Sequence, residues 1–313
     1  MPAPVCGFSP QAVSATSALP STSSIFTAVT GALNQGGAYT GVQGWLDSGK
    51  LMSSSIGAIA LTGSSSENIN FNTRGFTNLM LGASTNVTYT GTITPGSAGY
   101  RLGGGAGVIT LTNTNALTGS NALTVGARTG NGSSGGGVIV GAANDLTGAT
   151  TVAASSLTFN SATAGVATSD VTVNGGTTLA INYASGNLAG DNTVTRAKSV
   201  QLNGATLTVT GNTGGNSTEN ITNALTISSG GSTMTLSSAA GKRAILAAGS
   251  FARNSGGTVL FRGTSLGADS LATFNVSSTS IGFGTGPTLN GTGTAGGSAG
   301  TSTVGIRTGG YGD

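Results

Sequence analysis

Val171-Thr-Val-Asn-Gly-Gly-Thr-Thr-Leu-Ala-Ile181 returns further along the chain as Val200-Gln-Leu-Asn-Gly-Ala-Thr-Leu-Thr-Val-Thr210, with the pairs Asn174-Gly175 and Asn203-Gly204 superposed. In both copies apolar residues alternate with hydroxyl or amide residues. A period of two gives a strand one buried and one wet face. Asn-Gly supplies a tight reversal, because both residues tolerate positive φ. The repeated unit is therefore strand, turn, strand. Its recurrence at one spacing predicts coils that hide their apolar faces only by stacking on one another.

A second echo joins Val108-Ile-Thr-Leu111, followed by Asn115-Ala-Leu-Thr-Gly119, to Val138-Ile-Val140, followed by Asn144-Asp-Leu-Thr-Gly148, at nearly the same offset as the first. Strands of three to six residues are expected from Ile56-Gly-Ala-Ile-Ala-Leu61 onward, later ones including Leu157-Thr-Phe159, Phe274-Asn-Val276 and Ile281-Gly-Phe283. Helix signals are nearly absent, since no twelve-residue window keeps an i, i+3, i+4 apolar stripe free of Gly. The predicted fold is all-β: a right-handed parallel β-helix (β-solenoid) of short strands with Gly/Asn turns, the hand following from the right-handedness of strand crossovers. Three regions are expected. Residues 1–55 form an irregular N-terminal segment or cap, broken by Pro2, Pro4, Pro10 and Pro20, with Trp45 as its plug; residues 56–283 are the solenoid repeats; residues 284–313 are a Gly/Thr-rich continuation or flexible end. Within these, Gly130 to Gly137 and Gly291 to Gly310 read as mobile loops.

Composition bounds the class. Of 313 residues 56 are Gly and only 6 % are charged, with mean hydropathy +0.18, so solubility must come from Thr, Ser, Asn and Gln side chains. Disorder does not fit, because 37 % of residues are hydrophobic and they alternate, whereas disordered chains are apolar-poor and highly charged. Gly within a strand is costly, so the glycines read as punctuation between apolar runs. A net charge of +3 and a pI near 9.3 are weakly basic. The closest cation groupings, Arg196 with Lys198 and Lys242-Arg243, are too sparse for a nucleic-acid footprint, and no nucleic-acid partner is expected.

Cys6 is the only cysteine, so there is no disulfide framework. Met1-Pro-Ala-Pro-Val-Cys-Gly7 shows no export signal, lacking the basic start and apolar run of a leader, and no stretch approaches the eighteen apolar residues of a membrane-spanning segment. The expectation is a fragment whose leader lies upstream, or a chain exported by another route; the ending Thr308-Gly-Gly-Tyr-Gly-Asp313 is read as favouring a fragment.

Gly137-Val-Ile-Val-Gly-Ala-Ala-Asn-Asp-Leu-Thr-Gly-Ala-Thr-Thr-Val152 resembles the autotransporter-associated β-strand repeat, in which a strand, an Asn-x-x-Thr-Gly turn and a Thr-Thr-Val strand follow in order. Gly57-Ala-Ile-Ala-Leu-Thr-Gly63 with Glu67-Asn-Ile-Asn-Phe71, Tyr100-Arg-Leu-Gly-Gly-Gly105, and the run from Gly249 to Gly267 resemble neighbours of that repeat in large bacterial surface proteins. The resemblance covers roughly residues 56 to 283. It implies a passenger-type, non-enzymatic structural or adhesive segment at the cell surface or outside the cell. The implied partners are surface glycans or neighbouring cells, and an outer-membrane β-barrel translocator outside this chain. It supplies no catalytic residues.

Histidine is absent, which removes the commonest general base and metal ligand. The alternative of a β-helical polysaccharide lyase or hydrolase needs carboxylates on one face, and Asp145, Asp170, Asp191 and Glu219 follow one another at intervals close to the length of a repeat. The favoured reading leaves them isolated in loops. Arg196 and Lys198 flank Ala197 and are expected to point the same way, as a solvated face or, less favoured, a hold for an acidic sugar. Arg253 and Arg262 flank Gly256-Gly257, with Asp269 a partner for one of them.

Gly103-Gly-Gly-Ala-Gly107 is no phosphate cradle, because no Gly-Lys-Ser/Thr follows, and calcium-binding nonapeptides lack their Asp positions. Thr88/Thr90, Thr208/Thr210 and Thr233/Thr235 raise a third alternative, a Thr-face module such as ice binding, which needs the pairs at one coil position, whereas the intervals between them in the sequence vary. Catalytic, cofactor-binding and metal-ligating residues are all assigned as none, and no cofactor is expected.

Overall fold

The computed structural model describes residues 25–130, 132–160, 165–183, 191–240 and 242–263, and beyond them the backbone of the strands Thr279–Thr285, Leu289–Asn290, Ile306–Arg307 and Gly310–Gly312. Cys6, Asp269 and the expected strand at Phe274–Val276 lie outside the described residues, as does most of Gly291 to Gly310. The fold is a β-solenoid of about 8 turns, built from parallel strands stacked coil on coil, with one helix among the described residues. The chain divides into two compact units, Met1–Leu157 and Thr158–Asp313.

In the first unit one parallel sheet carries Ala32–Asn34, Ala58–Leu61, Met80–Ala83, Tyr100–Leu102, Leu123–Val125 and Thr150–Val152 in that order. A second stacks Val87–Tyr89, Val108–Leu111 and Gly137–Val140. Parallel strand pairing thus reaches back to Ala32, and a parallel bridge of Ile25 with Leu51 lies further back still. Alternation does what the sequence predicts: Leu123 and Val125 are fully buried, whereas Thr124 between them is half-buried on the outer side. Ala58–Leu61 and Met80–Ala83 break that pattern, being buried on both faces. Their outer side is covered by the chain itself. Gly104 crosses so closely that a Cβ there would sit 2.6 Å from the Ala58 Cβ, so only small residues fit on both sides of the contact.

The first unit's coils are unequal. Leu33 pairs with Ile59, Ile59 with Leu81 and Leu81 with Leu102, over which the step shortens, and then Leu102 pairs with Val125 and Val125 with Val152, over which it lengthens again. The helix Gly41–Asp47 fills one connection. It is too short and too Gly-rich for the expected periodicity to reveal it, and it exists through tertiary contacts: Trp45 is fully buried and meets Tyr39 edge-on at 4.9 Å, and the Glu67 carboxylate accepts from the backbone N–H groups of Val42 and Gln43, both at 2.9 Å. Gly130 to Gly137, expected to be a mobile loop, instead contributes to the hairpin of Arg128–Thr129 with Gly132–Ser133 and runs into the strand Gly137–Val140.

In the second unit the strands are longer, and one of them, Ser217–Ser237, runs from one sheet into the other without a break. Ser217–Ser237 pairs first with Asn192–Asn203 and Ala244–Arg253, then with Thr206–Thr210 and Gly257–Gly263. Corner residues Gly176, Gly204, Gly230 and Gly256 have φ of 74°, 73°, 66° and 83°, and a Cβ on Gly230 would lie 3.2 Å from the Gly204 Cα. The left-handed backbone favours Gly at all four positions, and at Gly230 the approach of the preceding coil adds to it.

The corner also corrects the alignment read from sequence. Val171 pairs with Val200 at the expected offset, but Leu179 pairs with Leu207 and Ile181 with Val209, where the offset is smaller by one. The first copy spends an extra Gly on its turn. The Asn rung survives the difference, the Asn203 amide donating to the Asn174 Oδ1 at 3.2 Å. Without that adjustment every following side chain would face the wrong side.

Candidate functional site

The carboxylates of the alternative enzymatic reading do not converge. Asp145 is exposed on a turn whose stacking is made by others: its N–H donates to the Asn115 Oδ1 at 3.1 Å, and the Leu117 N–H donates to the buried Asn144 at 2.9 Å. Asp170 is exposed and accepts from the Ser199 hydroxyl at 2.6 Å, with Lys198 at 3.5 Å. Asp191 accepts from the Asn216 backbone N–H at 2.8 Å and its amide at 3.0 Å, and these bonds hold its carboxyl below the usual range. Among the described residues no three His, Cys, Asp or Glu are grouped to hold a metal.

Glu219 is the exception, because it points inward. Its Oε2 pairs with the Arg196 Nη1, its Oε1 accepts from the Arg196 N–H at 3.1 Å, and the Tyr183 hydroxyl donates to Oε2 at 3.0 Å. The guanidinium carbon lies 4.1 Å from the centre of the Tyr183 ring. Arg196, Glu219 and Tyr183 are all fully buried. Burial pushes the Glu219 carboxyl up to about 7, opposed by Arg196 and by the hydrogen bonds it accepts. Burial also raises the Tyr183 hydroxyl above its ordinary value, with the Glu219 charge adding to it.

The expectation that Arg196 and Lys198 share a face is therefore corrected. Between Val194 and Ala197 the strand holds one residue more than its neighbour does between Glu219 and Ile221, and this bulge turns Arg196 inward while Lys198 stays outside. Sequence alternation could not reveal it; a lone Arg and a lone Glu on strands of neighbouring coils were the available signal. Arg253 donates to the Gly257 carbonyl at 3.1 Å, across the turn, and its expected partner Asp269 lies outside the described residues.

Two surface features remain. On the outer side of the second unit, Thr178, Thr206 and Thr233 form one column, Thr208 and Thr235 a second, and Thr210 and Ser237 a third. Stacked strands lie about 4.8 Å apart, with every second residue about 7 Å apart along a strand, so these hydroxyls make a regular grid. Thr88 of the first unit pairs with Thr110.

The other feature is a cleft of about 300 Å³ in the first unit, beneath the hairpin of Arg128–Thr129 and Gly132–Ser133. Val29, Ile56 and Ala127 give it an apolar wall; Arg101, Arg128 and Thr124 give it a polar one. Arg101 leaves the outer side of Tyr100–Leu102, directly beside Thr124 of the next coil. Its Nε–H donates to the Asn78 carbonyl at 3.1 Å, and burial lowers the guanidinium from its ordinary value. The Gly103 to Gly107 run beside it is engaged within the fold: its N–H groups at Gly103, Gly104 and Gly107 donate to the carbonyls of Leu81, Gly135 and Ala83 at 2.9 Å.

The fold and these surfaces define a β-solenoid with outward-facing hydroxyl columns and a cationic cleft. No protein-family model, curated protein or solved structure matches the chain.

Proposed function

We propose that this chain is a non-enzymatic structural or adhesive segment of an exported bacterial surface protein, of the passenger-like kind that its Asn-x-x-Thr-Gly turns resemble. The observation that carries the reading is the use made of its carboxylates. Glu67 caps a helix from the neighbouring coil, Asp170 and Asp191 bond to the strand above them, and Glu219 closes a buried ion pair. Each ties coil to coil, so the acidic groups serve assembly of a long surface. Most outer positions are left to Thr, Ser and Asn, which hydrate without charge.

Labelling of intact cells with an impermeant reagent, followed by detection of the chain, tests its surface location; protection of the chain in intact cells refutes it. Incubation with pectin, alginate and related glycans tests the non-enzymatic part. Release of reducing or unsaturated ends, lost in Asp170→Ala or Asp191→Ala, overturns it.

The hydroxyl grid supports a second reading, a flat Thr-face binding module such as ice binding. Thr206, Thr208 and Thr210 lie in register with Thr233, Thr235 and Ser237, the constant coil position that such a face needs. Thermal hysteresis that disappears in Thr208→Lys together with Thr235→Lys supports it, and no hysteresis or ice shaping dismisses it.

A further inference from the structure

Arg101 is the described cation whose setting asks for a ligand. Its guanidinium is half-buried in the cleft wall, and the Nε bond to the Asn78 carbonyl fixes its plane. That single bond leaves both terminal nitrogens as donors, in the fork that matches a carboxylate. Among the described residues no Asp or Glu lines the cleft to answer the charge. Arg128 on the hairpin adds a second positive charge at the same opening. An anionic group in the cleft therefore meets two cations and no repulsion.

The remaining walls specify what carries the anion. Thr124, Thr129 and the Asn78 amide offer neutral hydrogen-bonding groups, and Val29, Ile56 and Ala127 offer small aliphatic surface. A compact ring with hydroxyls on its edge and C–H groups on its face satisfies both. We propose that the cleft binds a uronic acid unit of an acidic glycan, with its carboxylate on the Arg101 guanidinium. The proposal rests on the reading of the chain as a non-enzymatic surface segment, and gives that segment a ligand class.

Calorimetric titration of the full chain with trigalacturonate tests it, alongside neutral galactotriose, sodium sulfate at equal ionic strength, and a tripeptide of aspartate. The expected result is saturable binding of trigalacturonate alone. Arg101→Gln should weaken it by about tenfold or more, the usual loss for a charge-assisted hydrogen-bonding partner. Thr124→Tyr, which fills the cleft and leaves both cations in place, should weaken it as well, and far-UV circular dichroism confirms that each variant keeps its strands. Equal binding of galactotriose, sulfate or the aspartate peptide overturns the sugar-acid assignment, as does binding unchanged in both variants. Cleavage of trigalacturonate would refute the non-enzymatic reading while leaving the site intact; absence of binding refutes the site alone.

Discussion

The two units build the same coil by different means. In the first, three- and four-residue strands alternate with connections of unequal length, one of them holding a helix, and a hairpin and a glycine run cover the outer side of the sheet. In the second, a strand of 21 residues runs through the corner, its neighbours of 12 and 10 residues stop short of the stacked corner glycines, and the core contains a buried ion pair. The difference separates what a coil needs from what it can vary. It needs two inward apolar strands in register and a satisfied turn. Loop length is free, because closing a longer loop costs only about 0.6 kcal/mol for each doubling.

Substitutions at Ile181, the Arg196–Glu219 pair, Asn144 and Gly230 bear on this comparison. Ile181→Asp in the second unit places an unpaired carboxylate at a position 2 % exposed, and should cost about 4 kcal/mol or more in a denaturant melt. A melt within a degree of the parent would mean that inward strands are not what a coil needs.

Glu219→Ala strands the Arg196 charge and should cost about 3 to 5 kcal/mol, whereas Arg196→Met with Glu219→Leu should be close to neutral or stabilising. Hydrogen exchange should place the loss of Glu219→Ala in the strands from Asn192 to Arg253. The same carboxyl sets a pH dependence. Folding raises it from 4.5 to about 7, so the native state holds the proton more tightly; its contribution is complete below about 4.5 and is lost as pH rises through about 7. Protection in the second unit should fall over that window, and Glu219→Gln should abolish the trend. Asp191 has the opposite sign, since its carboxyl is held low; its contribution is lost as pH falls.

Asn144→Ala, in the first unit, removes the acceptor of the Leu117 N–H and the donor to the Ala142 carbonyl, and should cost about 1 to 3 kcal/mol by thermal melting. Gly230→Ala, at the corresponding kind of turn in the second unit, forces a left-handed φ on a side chain and should cost about 1 to 2 kcal/mol. If Gly230→Ala proved the costlier, the corner column rather than the Asn rung would be the stricter requirement.

Period-two alternation is enough to read the fold, because Val171 to Ile181 and Val200 to Thr210 each carry both strands and their turn. Coil length is not legible in the first unit, where covering loops rather than strands set the step from Ile59 to Leu81. The helix Gly41–Asp47 is hidden because its stability comes from Glu67 and from burial of Trp45, both tertiary. The inward turn of Arg196 escapes the sequence because a one-residue bulge leaves no mark on a pattern of alternation. The Arg101 cleft is not visible either. It depends on a hairpin formed by a Gly-rich stretch that, read alone, has nothing to pack.

A stack of look-alike coils has a counting problem. Val on Val or Leu on Leu is equally content with the wrong neighbour, so an apolar column cannot tell one turn from the next. The buried pair can. Were the coil carrying Arg196 to settle on the strand Ala244–Arg253 instead of Ser217–Ser237, the position now held by Glu219 would present Leu246, its own register partner. A guanidinium sealed against leucine is far costlier than any misplaced methyl. One ion pair thereby numbers the coils around it, and a chain of near-repeats acquires a single assembly order in its second unit.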